Sequence, residues 1–373
     1  MPHRILADLE QTLLGSTSGQ SIEPPADAIA RCQELAAAYH SRKRQQTPED
    51  RSLRAYLLLD RWDDSAVAAQ LAEVWPEAAE ARAAVPDAFY AGREGEAPCV
   101  VPLPEIALPD GGTSTLAQAR AQEILAEWLQ AASRQAHKRL APQDLCAVLF
   151  STDSAGWVAQ HLAKLGFQYP PGSTSARVFR YQDPRVMQRV WPELGAAQQG
   201  IWLGGIQAWW TLTQPWGPWT QEDLMAGAEH AVPTLSWFQA QRPAAPDGRT
   251  ERLLHRLMNT DQWHAAHSAP IGNRVWAGFA RRGLPFQAQP DARTMTRLLK
   301  KGHVLGLSET DRQDFVWCSW HPSSQNPLHG VIGQSIDWDD PHWRNVLARI
   351  QQGLGDDPKA GFASLFEEHK HFA

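Results

Sequence analysis

"VFRYQDPRVM", residues 178–187, starts like a strand, breaks at Asp183-Pro184 and restarts like a helix. The alternation sends Val178 and Arg180 to one side, and Phe179 and Tyr181 to the other. Asp183 is placed as an N-cap, where its carboxylate can accept from the free N–H groups of the next turn. Pro184 then falls at the first helical position. Its missing N–H costs nothing there, and it pushes Asp183 out of the helical region. Arg185 is not explained in this way, because a cation in the first turn opposes the helix dipole. It calls for exposure or a carboxylate partner, which Arg180 could share.

The same change of period recurs along residues 53–212. "LRAYLLLD" (53–60) reads as a buried strand and "DDSAVAAQLAEVWPE" as a capped helix reaching Pro76. "AFYAG" and "PCVVPL" read as short extended pieces around the charged turn "GREGE". A helix over 115–139 precedes the strand "LCAVLFS" (145–151), the helix "DSAGWVAQHLAKLGF", the strand "ARVFRYQ" and the helix "PRVMQRVWPEL". "IWLGGIQAWWTL" predicts one or two strands. Some connections are too short for parallel crossovers, so the region reads as α+β or α/β with a mixed β-sheet flanked by helices.

Upstream, short helical spacing over 3–14, a Ser/Gly/Pro connector and a helix from Asp27 to about Arg44 complete an N-terminal unit, 1–212. Residues 213–373 predict a second, mostly helical lobe. Its helices fall over 221–230, 249–267, 272–282, 291–301, 309–319, 340–352 and 359–370, with a break at "QRPAAPDG". A chain of 373 residues suits two such units, since single cores stop growing near roughly 250–300 residues.

Composition narrows the function classes. Apolar residues at 43% and charged residues at 20% are ordinary for a globular protein. The net charge of −6 gives no electrostatic reason to expect nucleic acid. The basic run "HSRKRQQ" suits a helix C-terminus. The first residues carry acids and no continuous apolar stretch, so no leader is expected, and no run of about 18 apolar residues would span a membrane. A cytoplasmic protein is expected, with Cys32, Cys99, Cys146 and Cys318 as free thiols, because they are widely spaced and form no CxxC.

No phosphate loop, dinucleotide fingerprint, HExxH, GxSxG or EF-hand loop is present, and the paired carboxylates of "WDDS", "WDDP" and "GDDP" sit where helix starts and turns use them. The best enzymatic alternative is metal-dependent. His264 and His267 share a helix face, while Cys318, His321 and His329 lie in "CSWHPSSQNPLH". Their spacing fits no standard finger, and neither a metal nor a cofactor is expected. The 17 tryptophans offer another alternative, a carbohydrate-binding module built on "AWWTLTQPWGPW". Trp209 and Trp210 are adjacent on a strand, however, and point to opposite faces. A Trp-rich seam packing the two lobes, or a partner-facing patch including Trp216 and Trp219, accounts for the same residues.

The order of the pieces carries a resemblance. "YLLLD" (56–60), "APCVVPL" (97–103), "LFSTDSAGWVAQHLAKL" (149–165), "FRYQDPRVM" (179–187) and "WLGGIQAWW" (202–210) resemble the adaptor (chaperone) family of bacterial type VI secretion over roughly 55–212. The Asp-Pro-Arg turn is the specific element. Two elements depart from the family pattern. His161-Leu162-Ala163 lacks the arginine of the family's His-Leu-Arg helix, and Leu203-Gly204-Gly205 stands in place of Phe-Gly-Pro, so no role is carried onto Ala163 or Gly205. The resemblance implies a non-enzymatic cytoplasmic protein that binds a toxic effector and helps load it onto the valine-glycine-repeat spike protein. Partner contacts would then fall on Arg180, Asp183, Arg185 and the tryptophans at 209, 210, 216 and 219, with the helical lobe recognising cargo.

Overall fold

The continuous apolar runs of the sequence become the middle of a six-stranded sheet. A computed structural model describes residues 26–47, 52–112, 114–137, 142–214, 217–225, 235–242, 251–323, 332–357 and 359–372. The expected helix over 3–14, its connector and most of the "QRPAAPDG" break lie outside these residues.

Helix α1 (Ala26–Gln45) precedes strand β1 (Arg54–Leu59). Helices α2 (Ala66–Val74) and α3 (Pro76–Glu80) lead to β2 (Ala83–Ala84) and, after 3-10 turns at Ala88–Tyr90 and Glu94–Glu96, to β3 (Cys99–Pro102). Helix α4 (Leu116–His137) connects to β4 (Leu145–Ser151). Then come α5 (Ala155–Gly166), the small ribbon of β5 (Phe167–Gln168) and β6 (Arg177–Val178), α6 (Pro184–Val190), α7 (Ala196–Leu203) and β7 (Ile206–Leu212). A short α8 (Gln221–Met225) and strand β8 (Trp237–Gln241) follow. The rest is mostly helical: α9 (Thr260–Arg281), α10 (Ala292–Val304), α11 (Glu309–Ser319), the ribbon of β9 (Trp320–Ser323) and β10 (Ile332–Ser335), α12 (Pro341–Asp356) and α13 (Phe362–His369).

The architecture is α+β, and the strand order in the large sheet is β2-β3-β1-β4-β7-β8. Each neighbouring pair is antiparallel, not mixed as the short and long connections suggested. The long helical connections are still present. They join antiparallel neighbours, or reach over β1 from β3 to β4, and so cover both faces. Burial follows from this: every residue of β4 is buried.

Three cores result. On one face Leu57, Val148, Phe150 and Trp210 pack with Leu35 and Tyr39 of α1, Leu71 of α2 and Trp128 of α4. On the other, Tyr56, Leu58, Leu149 and Trp209 pack with Leu162 of α5, Met187 of α6 and Trp202 of α7. The third belongs to the helical region, around Trp276, Leu299, Phe315, Trp338 and Phe362.

Three details revise the sequence reading. The helical half contributes β8, which pairs with β7 and completes the sheet, so the sheet unit does not end at residue 212. The expected helices over 249–267 and 272–282 become a 3-10 segment at Glu251–Arg256 and one helix, α9, that runs through an exposed Pro270. Ala266 of α9 belongs to the second core and Ile271 to the third, so this single helix serves both units. Finally, "IWLGG" is the end of a helix and not a strand. Gly204 closes α7 with φ +54° and ψ −116°, a conformation open essentially to glycine.

The imidazole of His161 lies directly over Gly204, where any Cβ would overlap the ring. Its Nε2–H donates to the Trp202 carbonyl at 2.8 Å. Gly205 is equally close to the Asp153 carboxylate. The "AQHL" helix and the "WLGG" turn are therefore one packed unit. Gly204→Ala should cost about 1–3 kcal/mol from backbone strain, read as a lowered urea midpoint. His161→Ala in that background should recover only the steric part, and a wild-type midpoint for Gly204→Ala would refute the close packing.

Candidate functional site

Two of the sequence motifs, "YLLLD" and "FRYQDPRVM", meet at one end of the sheet. β1 ends in Leu59, and Asp60 follows it, its backbone N–H donating to the Asp144 carbonyl beside β4 at 3.0 Å. The Asp60 carboxylate accepts from Arg180 Nη2 at 2.9 and 3.2 Å, and from Gln182 Nε2 at 3.0 Å. The alternation across the turn is as expected: Phe179, Tyr181 and Gln182 are buried, while Val178 and Arg180 are exposed. Only Arg177–Val178 is strand, however. Tyr181–Gln182 form a tight turn, in which the Tyr181 N–H donates to the Phe179 carbonyl at 2.9 Å and the Asp183 N–H to the Arg180 carbonyl at 3.1 Å.

Asp183 caps α6, accepting from the Arg185 N–H at 2.9 Å. Its carboxylate also takes both arms of the Arg185 guanidinium, Nε at 2.9 Å and Nη2 at 2.8 Å. The first-turn cation is thus held by the cap itself, and Arg180 and Arg185 have different carboxylate partners. Burial pushes the Asp183 carboxyl up, but the side-chain bonds and charge of Arg185 outweigh it and hold the group below its ordinary value. Burial likewise works against the Arg185 and Arg180 cations, and the aspartates more than compensate. The Arg180 side chain keeps 51% of its surface exposed against 16% for Arg185. Arg180 can meet a partner, whereas Arg185 is a brace.

Beside Arg180 stands a group that the sequence reading treated as extended structure. In "AFYAGRE" the 3-10 turn at Ala88–Tyr90 is capped by Asp87, whose Oδ1 accepts from the Phe89 N–H at 2.9 Å. Phe89 is 54% exposed. Its ring meets Tyr90 edge-on at 5.0 Å, and the Arg93 guanidinium lies 5.5 Å from its centroid. Tyr90 is close enough to Arg180 and Asp60 to feel both charges; its phenol is raised, mainly by burial. Phe89, Tyr90, Arg93 and Arg180 form a surface of aromatic and arginine side chains, the types enriched where proteins meet. Adjacent aromatics between turn residues were the available signal.

The tryptophans behave differently. Trp209 and Trp210 are 0% and 2% exposed and sit in different cores, as their opposite faces require, and Trp219 at 1% belongs to the third core. Buried within the chain, they are not the partner contacts expected of them. They form no single seam between lobes and no sugar platform. Trp216 lies outside the described residues.

The metal candidates also separate. His267 stacks on Trp263 with ring centroids 3.8 Å apart, while His264 meets His303 of α10 at 3.2 Å. Burial raises the Cys318 thiol to about 12. The side chain of His321 and all of His329 lie outside the described residues. Among the described residues, no group of three or more His, Cys, Asp or Glu side chains is arranged to hold a metal ion. Also among them, no helix is long and apolar enough to cross a membrane. No protein-family model, curated protein or solved structure matches the chain.

Two outcomes follow from these geometries. Arg185→Glu breaks a mostly buried pair and places a carboxylate against Asp183, so urea unfolding should show a loss of about 3 kcal/mol, with a wild-type midpoint as the contrary result. The second concerns acid. Burial lowers His161, His267 and His303, and brings His264 to about 4, with His303, Arg312 and His267 adding to the depression of His264 and Asp261 opposing it. The unfolded chain therefore binds these protons first, and stability falls as pH drops from about 6.5 toward 4. Replacing His264 with Gln should flatten that slope by about 1 kcal/mol, a figure reduced for its solvent exposure. An unchanged slope in thermal melts across that range would contradict it.

Proposed function

We propose that this protein is an adaptor that holds a toxic effector and presents it to the valine-glycine-repeat spike of a type VI secretion machine. The observation that carries the reading is the junction of its motifs. The end of "YLLLD" is joined to "FRYQDPR" through Asp60, Arg180 and Gln182, and "AQHL" is joined to "WLGG" through His161 and Trp202. Elements that resemble the adaptor family by their order are thus structurally interdependent, as parts of one scaffold would be. An adaptor works by presenting surface. The Phe89, Tyr90, Arg93 and Arg180 group supplies a surface of suitable chemistry, and Trp157 on α5, 65% exposed, is a second aromatic contact candidate. The cytoplasm is the place for such loading.

Co-purification from the native bacterium tests this. A tagged chain should bring down a toxin-like protein and the spike protein together. Arg180→Glu combined with Phe89→Asp should reduce capture at least tenfold, the loss of about 1.4 kcal/mol or more expected of interface anchors. Because Arg180→Glu also sets a carboxylate against the largely buried Asp60, capture is read per folded molecule, the folded fraction being taken from thermal unfolding. Recovery of the chain alone under gentle conditions would count against the adaptor reading. Full capture by the double variant would remove this surface from it.

A further inference from the structure

Where α6 meets the helical region, the structure leaves a cleft of about 260 Å³ between α6, α9 and α10. It exists because α9 turns small residues toward it: Ala265, Ala269 and Gly272 line the space. Trp276 of the same helix, with Met295 and Leu299 of α10, supplies an apolar wall, each nearly fully buried.

The polar groups are few and differently placed. Arg189 reaches in from the end of α6, and its Nη2 donates to Asn273 Oδ1 of α9 at 2.9 Å. Burial is the chief reason that its guanidinium falls to about 10, with the Asp183 charge opposing the fall and that of Arg185 adding to it. Ser268 is 8% exposed, lines the same space, and its Oγ has no hydrogen-bond partner. A buried hydroxyl without a partner costs free energy in the empty protein, and a turn about χ1 onto an incoming oxygen would recover it. At the rim Asp261 and Lys300 pair at 3.0 Å, both largely exposed, and so offset one another. Glu193 is also exposed at this edge.

We infer that this cleft is a binding site for a small organic acid with an apolar body, its carboxylate directed to Arg189 and Ser268 and its body to Trp276, Met295 and Leu299. Size agrees with this class. A dry cavity of about 150 Å³ takes a benzene ring, so 260 Å³ has room for a ring plus a short chain ending in a carboxylate. A free aromatic or branched amino acid and a plain aryl or alkyl acid share that chemistry. Glu193 at the mouth would favour the one that carries an ammonium. Because α6 packs on the sheet while α9 and α10 bound the helical core, a ligand here would tie the two units together. The site is independent of the adaptor reading.

Titration calorimetry and thermal unfolding of the full chain test it, with L-phenylalanine, 3-phenylpropionate and phenethylamine as probes. The two acids should bind and raise the melting temperature with the logarithm of ligand excess, and the amine, which lacks the carboxylate, should not. Ser268→Ala should weaken acid binding roughly fivefold to tenfold, the worth of one hydrogen bond to a charged group. Without ligand, the same variant should be as stable as wild type or more so, since it removes an unpartnered hydroxyl. Ala269→Leu should fill the space and abolish binding while the protein remains folded by near-ultraviolet circular dichroism. The proposal is overturned if neither acid binds, if phenethylamine binds as well as the acids, or if Ser268→Ala destabilises the empty protein.

Discussion

Strands β1, β4 and β7 have no face in water, and much of the structure answers to that constraint. An antiparallel sheet usually keeps one face wet and reads as alternating apolar and polar residues. Here α1, α2 and α4 cover one face and α5, α6 and α7 the other. Both side-chain sets of each strand must then be apolar, which gives "YLLL", "CAVLF" and "AWW" their uninterrupted character. The edges are handled differently. β2 has two residues and β8 alternates between exposed and buried positions at its end, so neither presents a long apolar edge.

A sheet closed on both faces leaves its functional chemistry to the strand ends and the connections. Asp60 shows how this works. It stands just past β1, with its backbone tied to Asp144 and its carboxylate turned to Arg180 and Gln182. A half-exposed arginine on a turn would otherwise sample many rotamers. Two contacts to one carboxylate fix its direction, and the 3-10 turn carrying Phe89 and Tyr90 lies alongside. The exposed group is pre-organised by a largely buried one, which would lower the ordering cost of any contact made there.

Local rules were legible where the interaction is local. The Asp183 cap, the Pro184 start and the in–out alternation of Phe179, Arg180 and Tyr181 all stand in the structure as the sequence predicts them. Helices such as Glu309–Ser319 likewise fall where their spacing places them. What failed depended on distant chain. Short connections among longer ones suggested a mixed sheet, because a connection of helical length can join either parallel or antiparallel strands. β8 was invisible because five residues become a strand only beside β7. The role of Trp209, Trp210 and Trp219 was misjudged for a related reason: a tryptophan suits a core and an interface equally well, and only the tertiary arrangement divides them. The partner of Arg180 lies 120 residues away, and no spacing rule reaches that far. Arg185 was open to local reasoning, since its carboxylate is the cap two residues back.

The Asp-Pro-Arg turn therefore performs two tasks with two arginines. Arg185 closes on Asp183, satisfies the buried carboxylate and removes the unfavourable encounter between a free cation and the helix dipole. That leaves it little to offer a partner, since breaking the pair would strand a charge in the interior. Arg180 faces outward on the alternate side, held at one end by Asp60 and open at the other. Because both are fixed by the same short turn, any change that distorts the cap also moves the exposed arginine. The turn that builds the fold also carries the exposed arginine, and its structural half is what gives the exposed half a defined position.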